Sequence, residues 1–311
     1  MLDRNFVKDL KSDGTFNDIS FAREYESEWS GSIEDAFFNS DLFDRHRTLR
    51  QPEYGRTGRS ARDSYIIISV DVGRLGCQSV AIINKVTPQS QGAAMKSLVN
   101  IYTYDDEHFE VQAAKIKRLF LIYEARALVI DANGLGVGLI DYMIKPTTDS
   151  DTGEVFPPFG VINDEQEYYK KYITDETVKE AMYLIKANKE INSVAHVNVL
   201  TQMSSGKIKL LIDERSAKTK LLGTKIGAAM TSEERAEYLK PFTLTSILKE
   251  EMMNLKEKRD GQFVSLESSN RKIKRDKFSA FEYGLYYIKL LEDNAKKKKK
   301  RSRISDYLFF S

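Results

Sequence analysis

Three aspartates of this 311-residue chain stand where hydrophobic patterning stops. Asp71 follows the β-branched run Tyr65–Val70, Asp131 follows the apolar run Ala127–Ile130, and Asp276 opens a stretch whose Phe278, Phe281, Leu285, Ile288 and Leu291 recur at helical spacing. Taken singly, each is weak: Asp at a strand end is ordinary turn chemistry, and Asp at a helix start is an ordinary cap favoured by the helix dipole. Taken together they make chemical sense. If the two runs are neighbouring strands, their ends set Asp71 and Asp131 side by side, and the helix lowers Asp276 onto the same point. Three crowded carboxylates repel, and one takes up a proton unless a cation intervenes. Hard ions such as Mg²⁺ or Mn²⁺ suit carboxylate oxygen and water. Two of them about 3.5–4 Å apart can activate a water and stabilise the leaving oxygen of a phosphodiester.

The elements that must position these residues follow from the pattern. Tyr65–Val70, Cys77–Val86 and Leu98–Tyr104, joined by short connections, predict an antiparallel meander. His108–Ala125 has helical periodicity and leads into Ala127–Ile130, so the chain crosses over to a buried parallel strand. A short helix follows from the glycine run Gly134–Gly138 to Met143, and Pro146–Gly160 reads as a loop. Beyond it the spacing predicts a strand at Met182–Ala187, which has a helical alternative, a helix at Ser193–Met203 and a strand at Lys207–Ile212. A helix from about Thr245 to Lys258 and a strand at Gln262–Glu267 complete the approach to Asp276. The class is α/β.

Composition bounds the rest. Hydrophobic residues make up 41% and charged residues 30%, which excludes fibrous and wholly disordered classes. One cysteine, Cys77, allows no disulfide within the chain, and His46, His108 and His196 lie too far apart in sequence to suggest a His-rich metal site. No apolar stretch approaches a membrane span and the start lacks a signal core, so the expected setting is cytoplasmic, without a membrane partner. The net charge of +2 conceals a basic run of seven in Lys296–Arg303, which leaves the remainder at −5. His196 reads as a packed or surface histidine, Asp141 as a solvated helix residue, and Asp105 with Asp106 as a turn. The glycine run lets the chain leave its strand tightly, and it lacks the dinucleotide-binding frame.

Ile68-Ser-Val-Asp-Val-Gly73, Val129-Ile-Asp-Ala-Asn-Gly-Leu-Gly-Val-Gly-Leu-Ile-Asp141 and Lys274-Arg-Asp-Lys-Phe-Ser-Ala-Phe-Glu-Tyr-Gly284 resemble the three acidic motifs of the nuclease domain of tailed-phage terminase large subunits. Their order and spacing agree, and Gly206–Ile212 and Glu250–Leu255 resemble the intervening segments, so the likeness spans roughly residues 64–292. It implies a ribonuclease H-like fold, with a mixed central sheet flanked by helices. It implies two-metal cleavage of double-stranded viral DNA with little sequence preference, with Asp71, Asp131 and Asp276 as the catalytic, metal-binding carboxylates. Asp71 would bridge the ions. Phe21–Trp29, followed by Phe37-Phe38, resembles the close of the family's ATPase domain. The sequence divides accordingly into an ATPase-like end and linker at 1–62, a nuclease domain at 63–295 and a basic, flexible tail at 296–311. No G-x-x-x-x-G-K-[ST] phosphate loop is present, so ATP hydrolysis is expected from another part of a longer chain or from another polypeptide.

The basic cluster Arg271, Lys272, Lys274 and Arg275 directly precedes Asp276, which gives it reason to hold DNA phosphates. Lys207 and Lys209 are expected on a nearby strand with the same task. Through the family, the implied partners are DNA, a portal protein, a terminase small subunit and an ATPase domain, in the host cytoplasm on the viral procapsid. Two rival readings are another ribonuclease H-like enzyme, of resolvase or integrase type, and a non-catalytic DNA-clamping or portal-docking module.

Overall fold

The computed structural model describes residues 36–56, 63–73, 78–173 and 178–308, with the backbone alone for 259–260 and 299–308. Phe21–Trp29, Cys77 and residues 57–62 at the end of the expected linker lie outside these residues. Helix α1 (Ser40–Arg45) and strand β1 (Arg47–Leu49) precede the three long strands β2 (Tyr65–Asp71), β3 (Gln78–Thr87) and β4 (Met95–Asp105). Helix α2 (Phe109–Ile122) leads to β5 (Ala127–Asp131) and α3 (Gly136–Met143), and three two-residue strands follow, β6 (Thr147–Thr148), β7 (Val155–Phe156) and β8 (Gly160–Val161). Then come β9 (Glu180–Ile185), α4 (Lys189–Ser204), β10 (Ile208–Leu211), α5 (Glu214–Leu222), α6 (Lys225–Ala229) and α7 (Ser232–Met253). The hairpin β11 (Leu255–Asp260) and β12 (Phe263–Ser268) precedes α8 (Asp276–Leu308).

One eight-stranded sheet carries the order β1-β10-β4-β3-β2-β5-β9-β8. β2, β3 and β4 form the expected antiparallel meander, while β5 runs parallel to β2 and β9 parallel to β5. This five-strand centre, order β4-β3-β2-β5-β9, is the ribonuclease H-like arrangement. Apart from Ser69 and the terminal Asp71 and Asp131, β2 and β5 carry apolar or aromatic residues, because both sheet faces are covered. The two-residue period of β2 sends Ile66, Ile68 and Val70 to the face under α2 and α3, and Ile67 to the face under α4, α7 and α8. On that second face Phe278, Phe281, Leu285 and Ile288 of α8 join the core, as their spacing predicted.

Several elements differ from the sequence expectation. The long helix α7 begins at Ser232 instead of Thr245, started by a capping box in which Thr231 and Glu234 bond reciprocally. It stops at Met253, and Leu255–Asp260 pairs with Phe263–Ser268 as a hairpin instead of continuing the helix. Met182–Ala187 is strand, bounded as Glu180–Ile185. Upstream, Phe38 and Phe43 are fully buried in the core and β1 pairs with β10, so residues from Ala36 onward build into the same body as the sheet. At the other end, the backbone of α8 stays helical through the basic Lys296–Arg303 to Leu308. Among the described residues no helix is long and apolar enough to cross a membrane.

Candidate active site

Val70 pairs with Ile130 in the parallel register of β2 and β5. The next residues, Asp71 and Asp131, therefore end adjacent strands at one level, roughly 5 Å apart across the sheet. Asp131 turns one oxygen back to its own chain, accepting the Asn133 amide at 2.9 Å. The exit from β5 is tight: a Cβ at Gly136 would stand 1.7 Å from the Asp131 carbonyl oxygen, so glycine is required there for steric reasons. This matches the structural role that the sequence assigned to the glycine run.

Asp276 arrives from the other side of the fold. Helix α8 lies directly on β2 and β3 at Gly284, where a Cβ would meet Ser69 Oγ at 2.6 Å and Asn84 Nδ2 at 2.7 Å. Ser69 precedes Asp71 by two residues on β2, and Asp276 precedes Gly284 by about two helical turns. The close approach at Gly284 thus brings the first turn of α8 towards the ends of β2 and β5.

The electrostatics follow from this convergence. Burial, then Asp276, Asp131 and Glu251, push the Asp71 carboxyl up to about 8, with Arg275 opposing. Burial also raises Asp131, against the Asn133 amide and Arg275, and raises Asp276, against Lys277, Lys274 and Arg275. Among the described residues no three His, Cys, Asp or Glu side chains are gathered tightly enough to hold an ion as they stand. The donor chemistry, half-buried carboxylate oxygen with a strongly raised pKa at its centre, fits a hard divalent cation and gives no foothold for a soft one.

Glu251, on the last turns of α7, is a residue the sequence reading passed over. It is buried, its carboxyl is raised to about 7 by burial, and it accepts the Phe278 amide at 2.8 Å. Lys277, also buried, donates to Gln78 Oε1 at 2.9 Å and to Glu251 Oε1 at 3.4 Å. These groups border a cleft of about 400 Å³ that is also lined by Asp105, Glu250, Lys272, Lys274 and Asp276. Glu251 lay within a segment marked for family resemblance, but no periodicity or motif distinguished it from Glu250.

The basic residues divide. Arg271, Lys272, Lys274 and Arg275 are exposed on the loop before α8; Lys272 and Lys274 line the cleft, and the charge of Arg275 is felt by Asp71, Asp131 and Asp276. Lys207 and Lys209 do not join them. Their strand β10 pairs with the start of β4, Lys209 opposite Ser97 and the Lys207 carbonyl accepting the Lys96 amide. The row of Asp71 crosses β4 at Thr103 by way of Val80, so both lysines sit about 20 Å along the strands from the carboxylates. The sequence placed them near the site because it shows a strand and not the end of the sheet at which that strand begins. Of the packed and surface placements expected for His196, the buried one is found, with its Nδ1 2.6 Å from Glu282 Oε2 and its ring stacked on Phe278. Asp141 is exposed on α3.

No protein-family profile matches the sequence, and no curated protein matches it. Solved structures do. The chain is similar to the large terminase nuclease of thermophilic phage G20c, solved with bound magnesium, at TM-score 0.45 and 13% identity over 82% of this chain and 98% of that one. The HK97 bacteriophage large terminase aligns at TM-score 0.44 and 7% identity, with 81% of this chain covering 43% of its length. The human cytomegalovirus terminase nuclease domain, soaked with manganese, aligns at TM-score 0.35 and 10% identity over 68% of this chain and 95% of that one.

Proposed function

We propose that the chain is the nuclease part of a DNA-packaging terminase, cutting double-stranded DNA with little sequence preference at a divalent-metal site held by Asp71, Asp131 and Asp276. One observation carries the reading: the register of β2 and β5 aligns two of these carboxylates, and the centre of the group, Asp71, is pushed up to about 8 largely by burial and the other acids. Carboxylates that converge at a cost in burial and charge repulsion suit a cation. Bound Mg²⁺ or Mn²⁺, as a pair, supplies an activated water and neutralises charge at the phosphodiester. The chain's own residues do the rest. Asp71 and Asp131, fixed at strand ends, and Asp276, fixed by helix packing, hold the ions. Arg271, Lys272, Lys274 and Arg275 hold phosphates beside them and orient the duplex. ATP hydrolysis, the portal protein and the small subunit belong to other parts of the machine on the procapsid in the host cytoplasm.

Supercoiled plasmid with Mn²⁺ tests the reading. Nicked and linear products that disappear with EDTA are expected, on linear and branched duplexes alike. Preference for branched DNA would favour a resolvase, and DNA binding with no metal-dependent cutting would favour a clamp.

The basic loop gives a separate expectation. Each phosphate neutralised on duplex DNA adds about −0.9 to the slope of log affinity against log salt. Replacing Arg271 and Lys272 with Ala should flatten that slope by about one to two units and weaken all duplex sequences alike. Replacing Lys207 and Lys209 should leave cleavage at the carboxylates unaltered. An unaltered salt slope in the first double variant would remove the loop from the DNA surface.

A further inference from the structure

Helix α8 begins without a cap of its own. The residue before Asp276 is Arg275, whose side chain has no acceptor, and the first intrahelical bond runs from the Ser279 amide to the Arg275 carbonyl at 2.8 Å. The amides ahead of it need partners, since a helix start leaves its first N–H groups unpaired. Glu251 supplies one from another helix, its Oε2 accepting the Phe278 amide at 2.8 Å, the bond that an ordinary cap would make from within the chain. The clamp extends further. Lys277 Nζ spans Glu251 Oε1 and Gln78 Oε1, and Gln78 Nε2 in turn donates to Asp105 Oδ1 at 2.8 Å. The end of α7, the first turn of α8, the start of β3 and the end of β4 are thereby tied around Asp276.

We infer that Glu251 is a positioning residue, which fixes the first turn of α8 and so holds Asp276 towards Asp71 for the proposed cation site. The inference rests on the proposed metal site. Phe278 seats the side-chain face of the first turn in the core and Gly284 packs on the sheet about two turns further along, while Glu251 holds the backbone of that first turn beside Asp276. The loop ahead of Asp276 is tied to the core at Asn270, which exchanges hydrogen bonds with the buried Asn254, and beyond that tie Arg271, Lys272, Lys274 and Arg275 are exposed.

Two variants separate positioning from mere folding. Glu251→Ala removes the acceptor; Glu251→Gln keeps a carbonyl oxygen for the Phe278 amide while losing the charge. The readouts are the Mn²⁺ concentration that half-saturates the thermal shift of the protein, and hydrogen exchange over residues 276–279 in EDTA. For Glu251→Ala we expect at least a tenfold rise in that concentration and at least tenfold faster exchange. Glu251→Gln should stay within threefold of wild type on both. If Glu251→Ala does not melt cooperatively, Glu251→Asp, too short to reach, is read in its place with the same expectation. Unchanged metal response and unchanged exchange in Glu251→Ala, or equal losses in Glu251→Gln, would overturn the inference. A wild-type protein with no Mn²⁺-dependent shift would instead defeat the metal site, and the exchange experiment would still decide whether Glu251 holds the helix start.

Discussion

Asp71→Asn is expected to eliminate Mn²⁺-dependent plasmid cleavage, with a loss of about a thousandfold or more, while the protein still folds and still binds duplex DNA. The size follows from its place. Asp71 is the carboxyl raised by both Asp276 and Asp131, and in the proposed site its removal takes away a ligand that both neighbours would share. Losing several kcal/mol of charge stabilisation at the reacting phosphate corresponds to about three orders of magnitude in rate. Asp131→Asn and Asp276→Asn should lose most activity as well. DNA retention should persist because the residues proposed to hold phosphates, Arg271, Lys272, Lys274 and Arg275, lie on the loop before α8. Metal-dependent cutting by a clean Asp71→Asn preparation would take Asp71 out of the mechanism.

The second large effect is on stability, and it depends on pH and metal together. An unfolded aspartate titrates near 3.9, whereas Asp71 in the fold titrates at about 8. Between those values the native protein holds a proton that the unfolded chain has released. Stability from this group therefore falls as pH rises from about 4 to about 8 and levels off above. Asp71→Asn removes the penalty. In EDTA the variant and the wild type should melt together near pH 4, and the variant should melt higher at pH 8–9. Asp71 is only half-buried, so the full shift overstates the energy; after solvent screening, about 1–3 kcal/mol is expected. At about 2–4 °C per kcal/mol for a domain of this size, the gap is several degrees. Mg²⁺ at pH 8 should reverse the order, stabilising the wild type and leaving the variant behind. Melting curves across pH with and without metal measure this directly. A gap that does not vary with pH would mean that carboxylate crowding is not its source.

What the sequence by itself determined is whatever local periodicity encodes. The β-branched run before Asp71, the apolar run before Asp131 and the helical stripe after Asp276 each state their element and its end within about a dozen residues. A side chain's place at the end of an element is set by the pattern that stops there. The meander, the parallel crossover and the three candidate carboxylates were legible for that reason. The start of α7 was present too, in the Thr231–Glu234 capping box, but the apolar pattern that follows it is diluted by charge and was read only from Thr245.

Only the tertiary structure decided the rest. Phe38, Phe43 and β1 belong to the core because β10 accepts β1 as a neighbour, a pairing between segments far apart in the chain. Lys207 and Lys209 fall at the wrong end of the sheet because β10 runs parallel to β4 and pairs with its beginning. Glu251 reaches the Phe278 amide because α7 ends where α8 starts, although nothing near Glu251 in sequence distinguishes it from Glu250. Registers between distant strands and the meeting of two helix ends are fixed by the joint packing of both sheet faces. No window of neighbouring residues contains that information, because the energy that selects it is shared by side chains that meet only once the chain has folded.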